Sequence, residues 1–185
     1  MKKEAALGLS LVLFSAAALA GAPRPAPLQS SDKLLATYYF YWYDIYTNLH
    51  FLDPDGSDAL THHPPDEDLA TFSYTEVSWH RDQLLDLMAA GVDVVLPIYW
   101  GDDTNLFWSQ GGLRNLVTAE QALIGQGRTP PRIGMSYDTT ALEYQNGHVP
   151  PDLTTPAGKS LFYGMIADFF SLDPRSLWAT VDGRP

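Results

Sequence analysis

The sequence predicts an α/β protein with parallel strands, and more narrowly the amino-terminal part of a (β/α)8 TIM-type barrel. Segments of strand character alternate with segments whose apolar residues recur at helical spacing. Strands that alternate with helices pair in parallel through crossover connections. An open nucleotide-binding sheet usually has a glycine-rich turn after its first strand, but Trp42-Tyr43-Asp44 stands there. Because a barrel takes about 250 residues, we expect about three and a half β/α units in a truncated chain.

Residues 1–20 have the form of a secretion signal. Two lysines precede an apolar run that closes with the small-x-small pattern Ala-Leu-Ala at residues 18–20. The run is shorter than the about 20 apolar residues of a membrane span. Residues 21–32, with their three prolines, are predicted to be a flexible leader, and residues 33–185 the partial barrel domain. The sequence therefore predicts a secreted or periplasmic protein without membrane contact after signal cleavage.

Composition excludes several classes of chemistry. The chain has no cysteine, which excludes disulfides, thiolate catalysis and cysteine-bound metals. Its formal net charge of −11 repels phosphate backbones, so we expect no nucleic-acid partner. The adjacent His62 and His63 point in different directions on an extended chain and lack the spacing of a zinc motif. We predict neither a metal nor a cofactor.

The first predicted strand contains an unusual aromatic run. Residues 34–44 are predicted as this strand, and the stretch TYYFYWYDIYT at residues 37–47 has seven aromatics in eleven positions. A long loop over residues 48–72 follows, and Ser73 to Glu76 has the capping-box spacing that starts a helix. This helix is expected to end at Gly91. It carries His80, which we interpret as a hydrogen-bonded core histidine.

The alternation of strands and helices continues to the end of the chain. Residues 92–99, VDVVLPIY, are apolar almost throughout and predict a strand that is covered on both faces. A helix follows that ends near Gly125 or Gly127, and residues 132–138 are predicted as the third strand. After a second long loop, Thr155-Pro156 starts the last helix. A fourth strand is expected in the closing LWATVDGRP.

Each predicted strand ends in an aromatic residue with an aspartate within three positions. Ligands of such folds bind at the carboxyl ends of the strands. Sugar rings stack their C–H faces on tryptophan and tyrosine, and aspartate accepts hydrogen bonds from their hydroxyls. Alternation assigns some of these aromatics to the core, notably Tyr38 and Phe40, and the aspartates could instead cap helices or order loops. The candidate substrate-binding residues at strand ends are Tyr41, Trp42, Tyr43, Asp44, Tyr99, Trp100, Asp102, Tyr137 and Asp138.

Three stretches together resemble the family 99-like glycoside hydrolases. They are YFYWY at residues 39–43, His62 to Pro65 in the long loop, and WHRDQLLDLMAAGVDVVLPIYWG at residues 79–101. Members of that group are secreted (β/α)8 barrels of endo-α-mannosidase type, and related bacterial barrel domains have no assigned activity. The resemblance covers roughly residues 35–138. It implies hydrolysis of an internal α-mannosidic or similar linkage, without a metal.

The resemblance also guides the choice of site residues. It implies a binding role for Tyr41, Trp42, Tyr43 and Trp100, and it adds His62. Asp44 stands where the family commonly has glycine. The family's catalytic glutamates come from later strands, so the resemblance places them beyond Pro185, and the catalytic residues stay unknown.

Three functions are open at this point. The first is a secreted glycoside hydrolase-like protein that acts on a polysaccharide or glycan. The second is a carbohydrate-binding barrel without catalytic residues. The third is an extracellular scaffold in which all the aromatics are core. A carbohydrate is the partner expected under the first two.

Overall fold

The computed structural model describes residues 27–60, 69–101 and 107–185. Within these ranges the chain forms four short strands, four α-helices and one 3-10 turn. The strands are β1 (Ala36–Tyr39), β2 (Val94–Tyr99), β3 (Arg132–Ile133) and β4 (Ser136–Tyr137). The helices are α1 (Val77–Ala89), α2 (Phe107–Gly125), α3 (Thr140–Gln145) and α4 (Pro156–Leu172), and the 3-10 turn is Leu69–Thr71.

The sheet is parallel and has β2 at its centre. β1 pairs with one edge of β2, and both β3 and β4 pair with the other. β3 and β4 are two pieces of the predicted third strand. Beyond them, Ile133 forms a single parallel bridge with Trp178, inside the segment predicted as a fourth strand. The prediction of an α/β protein with parallel strands is confirmed.

The prediction of a partial (β/α)8 barrel is wrong. A closed barrel has no sheet edge, whereas β1 pairs with β2 alone within the described ranges. The strands have only two to six residues and form a short open sheet with four helices. The strand predicted over residues 34–44 stops at Tyr39, and Asp44 bridges to Leu49 and Ser73 instead of to the sheet. The second half of the aromatic run therefore forms a loop that packs onto the helices.

The aromatic run divides between the core and the surface. Tyr39 and Tyr41 are buried, and the Tyr41 hydroxyl donates to the Ser109 carbonyl oxygen at 2.7 Å. Tyr38 and Phe40 point to the opposite face of β1, where they are 66% and 44% exposed. The packing role predicted for Tyr38 and Phe40 is therefore wrong. The described part of the chain leaves both side chains largely open to solvent.

The sequence signals for helix starts predicted one of two helix caps correctly. Thr155 caps α4 as predicted, because its side chain accepts a hydrogen bond from the Gly158 amide and Pro156 follows. The capping box at Ser73 is wrong, since the residue that caps α1 is Glu76 and its side chain makes no capping bond. The Ser73 hydroxyl donates to the buried Asp44 carboxylate at 2.7 Å instead.

Residues near the two ends of the described chain contact each other. Leu28 forms a parallel bridge with Val181, and the Ser30 amide donates to Asp182 Oδ1 at 3.2 Å. These contacts attach the last residues of the predicted leader to the fold. The predicted signal at residues 1–20 lies outside the described residues.

His80 is a core histidine, as predicted. Its side chain is fully buried on α1, and both ring nitrogens have partners. Nε2 lies 3.0 Å from the Tyr74 carbonyl oxygen, which can only accept, so Nε2 carries the hydrogen. Nδ1 therefore accepts from the Tyr39 hydroxyl at 2.8 Å. Burial lowers the pKa of His80 from 6.5 to about 4, so the ring is neutral at pH 7.

Gly112 supplies a testable packing constraint between α2 and the aromatic run. A Cβ at residue 112 would overlap the Tyr41 ring, which its bond to Ser109 holds in place, and would lie 3.3 Å from Tyr74 Cβ. We expect Gly112→Ala to lower the free energy of unfolding by about 1–3 kcal/mol, as overpacked cores do. Urea denaturation measures this change.

Gly125→Ala is the matched control. Gly125 lies at the end of the same helix, and a Cβ there meets nothing within 4 Å. Alanine is the better helix former by up to about 1 kcal/mol, so this variant should be neutral or more stable. Equal effects of the two substitutions would show that Tyr41 does not restrict residue 112.

Candidate functional site

A row of aromatic rings lies at the carboxyl edge of the sheet. Trp42 stacks on His50 with 4.6 Å between ring centroids, and it also contacts Phe40 at 5.1 Å and Trp108 at 5.8 Å. Trp108 meets Trp100 at 6.1 Å, and Trp100 meets Tyr144 at 5.9 Å. Tyr144 contacts His148 at 4.9 Å. We call these six residues the ring row: His50, Trp42, Trp108, Trp100, Tyr144 and His148.

Parallel pairing explains why the ring row forms. Trp42 follows β1 and Trp100 follows β2, and the carboxyl ends of parallel strands lie on the same edge. Trp108 comes from the first turn of α2, where the neighbouring Ser109 hydroxyl accepts the Trp100 amide at 2.9 Å. Trp108 is buried, while Trp42 and Trp100 are partly exposed. Trp108 therefore supports the two rings that a ligand can reach.

Asp138 is fixed directly beside Trp100. The indole Nε1 of Trp100 donates to Asp138 Oδ2 at 2.9 Å. Oδ1 of the same carboxylate accepts from the Thr140 amide at 3.0 Å and the Thr140 hydroxyl at 2.7 Å. Two predicted site residues thus meet, and the same carboxylate orders the start of α3. A carboxylate has about four acceptor positions, so Asp138 can still accept from a ligand hydroxyl.

A groove of about 520 Å³ opens next to Trp100. The Gln145 side chain donates to the Trp100 carbonyl oxygen and lines this groove. On the side of α4, Asp168 accepts from the Tyr99 hydroxyl and from Gln110 Nε2. The other lining residues are mostly small: Gly101, Ala157, Ser160, Leu161, Gly164 and Met165. The groove therefore begins at Gly101, the residue after Trp100, and reaches the carboxylate of Asp168.

Both ends of the ring row have unusual backbone geometry. His50 and His148 have φ values of 59° and 62°, in the left-handed region that residues with a Cβ rarely occupy. Such conformations cluster at functional sites because the surrounding fold has to impose them. Partial burial also lowers the pKa of His50 below its usual value, which favours a neutral imidazole. The exposed histidines thus present fixed polar rings at the two ends of the ring row.

Three predicted site residues lie in the interior. Tyr41 and Tyr99 are fully buried, with their hydroxyls bonded to Ser109 and Asp168. Asp44 is also buried, and its carboxylate accepts from the Ser73 and Thr47 hydroxyls and the Tyr46 amide. Asp44 has the loop-ordering role that the sequence left open. These three residues position the residues around the site.

Two further predicted residues, Tyr43 and Tyr137, do not join the ring row. Tyr43 packs edge-on against Phe51 and Phe72, on the far side of His50. Tyr137 donates its hydroxyl to the Phe162 carbonyl oxygen at 3.1 Å, and burial raises its pKa to about 12. His62 and Asp102 lie outside the described residues.

Sequence reasoning missed most of the site. His50, Trp108, Tyr144 and His148 lie in segments that gave no strand-end signal, and Tyr144 belongs to a helix that was predicted as loop. Gln145 and Asp168 reach the groove from helices. Their helical spacing could have placed them on a surface, but not at this edge of the sheet.

The described ranges contain neither a candidate metal site nor a membrane-spanning helix. In residues 27–60, 69–101 and 107–185, no group of three or more histidine or acidic side chains has the geometry to hold a metal ion. No helix in the same part of the chain is both long and apolar enough to span a bilayer.

Comparison with known proteins gives a family and no relative with an established activity. No curated protein matches the chain, and no solved structure matches it. One family model matches residues 29–185, which include β1 to β4, the ring row and the groove. The chain therefore belongs to the DUF5010 family, described as a domain of unknown function.

Proposed function

We propose that this protein binds a neutral glycan along the ring row, as a secreted glycoside hydrolase-like protein. The observation that carries the proposal is the contact between Trp100 and Asp138 within a continuous series of rings. Flat apolar faces beside fixed carboxylate and amide oxygens match the alternating C–H and hydroxyl groups of a sugar. The predicted secretion signal is in keeping with a glycan partner outside the cell.

The geometry favours an extended glycan over a single sugar. Successive ring centroids in the ring row are 4.6 to 6.1 Å apart, and the rings come from residues between 42 and 148. The groove begins at Gly101, next to Trp100, and runs along α4. A chain of several sugar units can therefore contact the ring row and the groove together.

The net charge constrains the kind of glycan. At −11 the protein repels polyanionic chains at long range, so neutral mannans and related polysaccharides are the better candidates. Hydrolysis of an internal α-mannosidic linkage is the activity that the resemblance to family 99-like enzymes implies. This hydrolytic activity is the more specific part of the proposal, and glycan binding is the more general part.

Binding without catalysis is the second candidate, and one observation favours it. Both oxygens of the Asp138 carboxylate accept hydrogen bonds from the protein itself, Oδ2 from Trp100 and Oδ1 from Thr140. A general acid or nucleophile needs an oxygen that faces the glycosidic bond. Asp138 is therefore better suited to hold a hydroxyl group of a glycan.

Titration of the full chain with neutral oligosaccharides tests the proposal. α-Mannooligosaccharides are expected to bind in calorimetry and to shift the tryptophan emission, because Trp42 and Trp100 are partly exposed. Chromatography of the same mixtures shows whether shorter products appear, which separates hydrolysis from binding. Absence of binding to α-manno-, gluco- and xylooligosaccharides at millimolar concentration would leave the scaffold function as the surviving alternative.

A further inference from the structure

A second cavity, of about 400 Å³, lies at the opposite end of the sheet. It is formed by the last turns of α2, the segment that leads into β3, and residues 175–180. Since the strands are parallel, the start of β3 lies at the amino edge, away from the ring row. Its volume falls in the range of small-molecule sites, about 300–1,000 Å³. We call it the arginine cavity.

Positive charge is concentrated here. The described ranges contain six arginines, and three of them, Arg128, Arg132 and Arg175, line the arginine cavity. Guanidinium groups bind carboxylates through paired N–H donors and cannot lose their charge. In a chain of net charge −11, this local excess of cations favours an anion.

Glu120 adds a second, independent feature. Its side chain is only 2% exposed and lines the arginine cavity, and its Oε2 has no hydrogen-bond partner within the described part of the chain. Leaving a buried polar atom without a partner costs about 1–3 kcal/mol, so such atoms are rare. Burial, with a smaller contribution from Asp173, raises the pKa of Glu120 to about 9. At neutral pH the side chain is a carboxylic acid whose O–H can donate to a ligand.

The remaining wall is apolar and includes an indole. Trp178, Leu177 and Ile124 line it. The Arg175 guanidinium lies 5.4 Å from the centroid of the Trp178 ring, which is within the distance of a cation–π contact. A ligand with one compact ring and one acidic group would therefore contact both types of wall.

We propose that the arginine cavity binds a small hydroxylated carboxylate of monosaccharide size, such as a sugar acid. Its carboxylate contacts the arginines, a hydroxyl accepts from Glu120, and the ring lies against the apolar wall. This site is separate from the ring row, and its occupancy does not depend on whether the ring row binds a glycan.

Titration of the full chain with glucuronate, followed by calorimetry and ligand-observed NMR, tests the inference. Glucuronate is expected to bind at least about tenfold more tightly than glucose, a difference of about 1.4 kcal/mol. Arg128→Gln and Arg175→Gln should each weaken glucuronate binding by a similar factor. Arg81→Gln is the matched control, because Arg81 is exposed on α1 and pairs with Asp82 at 2.9 Å. It should leave binding unchanged.

Replacements of Glu120 test the donor role. Glu120→Gln keeps an N–H donor and should keep glucuronate binding, whereas Glu120→Leu should lose it while both variants remain folded. Equal affinity for glucuronate and glucose would overturn the proposal. Equal competition by inorganic sulfate would also overturn it, because the cavity would then bind anions without regard to their organic part. If both arginine variants kept their affinity for glucuronate, the glucuronate would bind outside the arginine cavity, and the proposal would be wrong.

Discussion

Trp100→Ala is expected to weaken binding of an α-mannooligosaccharide by at least about tenfold, or about 1.4 kcal/mol. The substitution removes a ring at the centre of the ring row and also the indole donor that fixes Asp138. An aromatic contact contributes about 0.5–1.5 kcal/mol beyond the area that it buries. Because the substitution removes both the stacking ring and the donor that positions Asp138, the loss of binding free energy should exceed the loss from either contact alone. Calorimetry on the full chain measures the change.

Two further variants separate the ring from its hydrogen bond. Trp100→Phe keeps an aromatic face but cannot donate to Asp138, so its affinity should fall between those of wild type and Trp100→Ala. Tyr163→Ala removes an aromatic that is 64% exposed on α4 and outside the ring row, and it should bind like wild type. If Trp100→Ala lowered only stability and left affinity intact, Trp100 would be a packing residue and the glycan site would have to lie elsewhere.

Local signals predicted the helix boundaries that depend on neighbouring residues. The Thr155-Pro156 start of α4 and the glycine-91 end of α1 needed only residues within one turn, and both are in the structure. Ser73 failed as a cap because its side-chain oxygen accepts from the Thr75 amide at 3.1 Å, and the Glu76 amide donates to the Ser73 carbonyl oxygen at 3.0 Å. The Ser73 hydroxyl also donates to Asp44, 29 residues earlier in the chain, which is a contact that the local sequence does not reveal.

The end of β1 could not be predicted for a similar reason. Aromatic residues favour strands, so the run at residues 37–47 indicated a long one. The strand instead ends at Tyr39, and the Tyr41 hydroxyl donates to the Ser109 carbonyl oxygen, 68 residues later in the chain. Closure of the sheet is likewise a long-range property. Alternating strands and helices are compatible with an open sheet and with a barrel, so the pattern alone could not exclude the wrong alternative.

The candidate site was predictable where it depends on strand ends. Trp42, Trp100 and Asp138 follow from the rule that the carboxyl ends of parallel strands share an edge. Trp108 and Tyr144 do not, because their positions depend on how α2 and α3 pack above that edge. The left-handed backbone of His50 and His148 has no sequence signal at all, since neither residue is glycine.

The free energy of unfolding of the wild type, compared with that of His80→Gln, is expected to fall by about 3 kcal/mol between pH 6.5 and pH 4. Burial lowers the pKa of His80 to about 4, while the unfolded chain keeps the ordinary value of 6.5. Above pH 6.5 the ring is neutral in both states and its contribution is complete. As the pH falls below 6.5, the unfolded chain takes up a proton that the folded chain excludes. Stability is then lost at about 1.4 kcal/mol per pH unit until the pH reaches the folded pKa.

The comparison with His80→Gln is necessary because other buried groups act in the opposite direction. Burial raises the pKa of Glu120 to about 9 and that of Asp173 to about 7, so these carboxyls destabilise the fold as the pH rises. Both are present in wild type and variant, and their effects cancel in the difference. A glutamine at residue 80 can donate to the Tyr74 carbonyl and accept from the Tyr39 hydroxyl without titrating.

Urea denaturation of wild type and His80→Gln across this pH range distinguishes the explanations. Parallel curves for wild type and His80→Gln would mean that the folded protein admits a proton at His80. That outcome would contradict the water-excluded contact between α1 and β1 that His80 makes through Tyr39, and with it the rigid base from which the first strand presents Trp42 to the ring row.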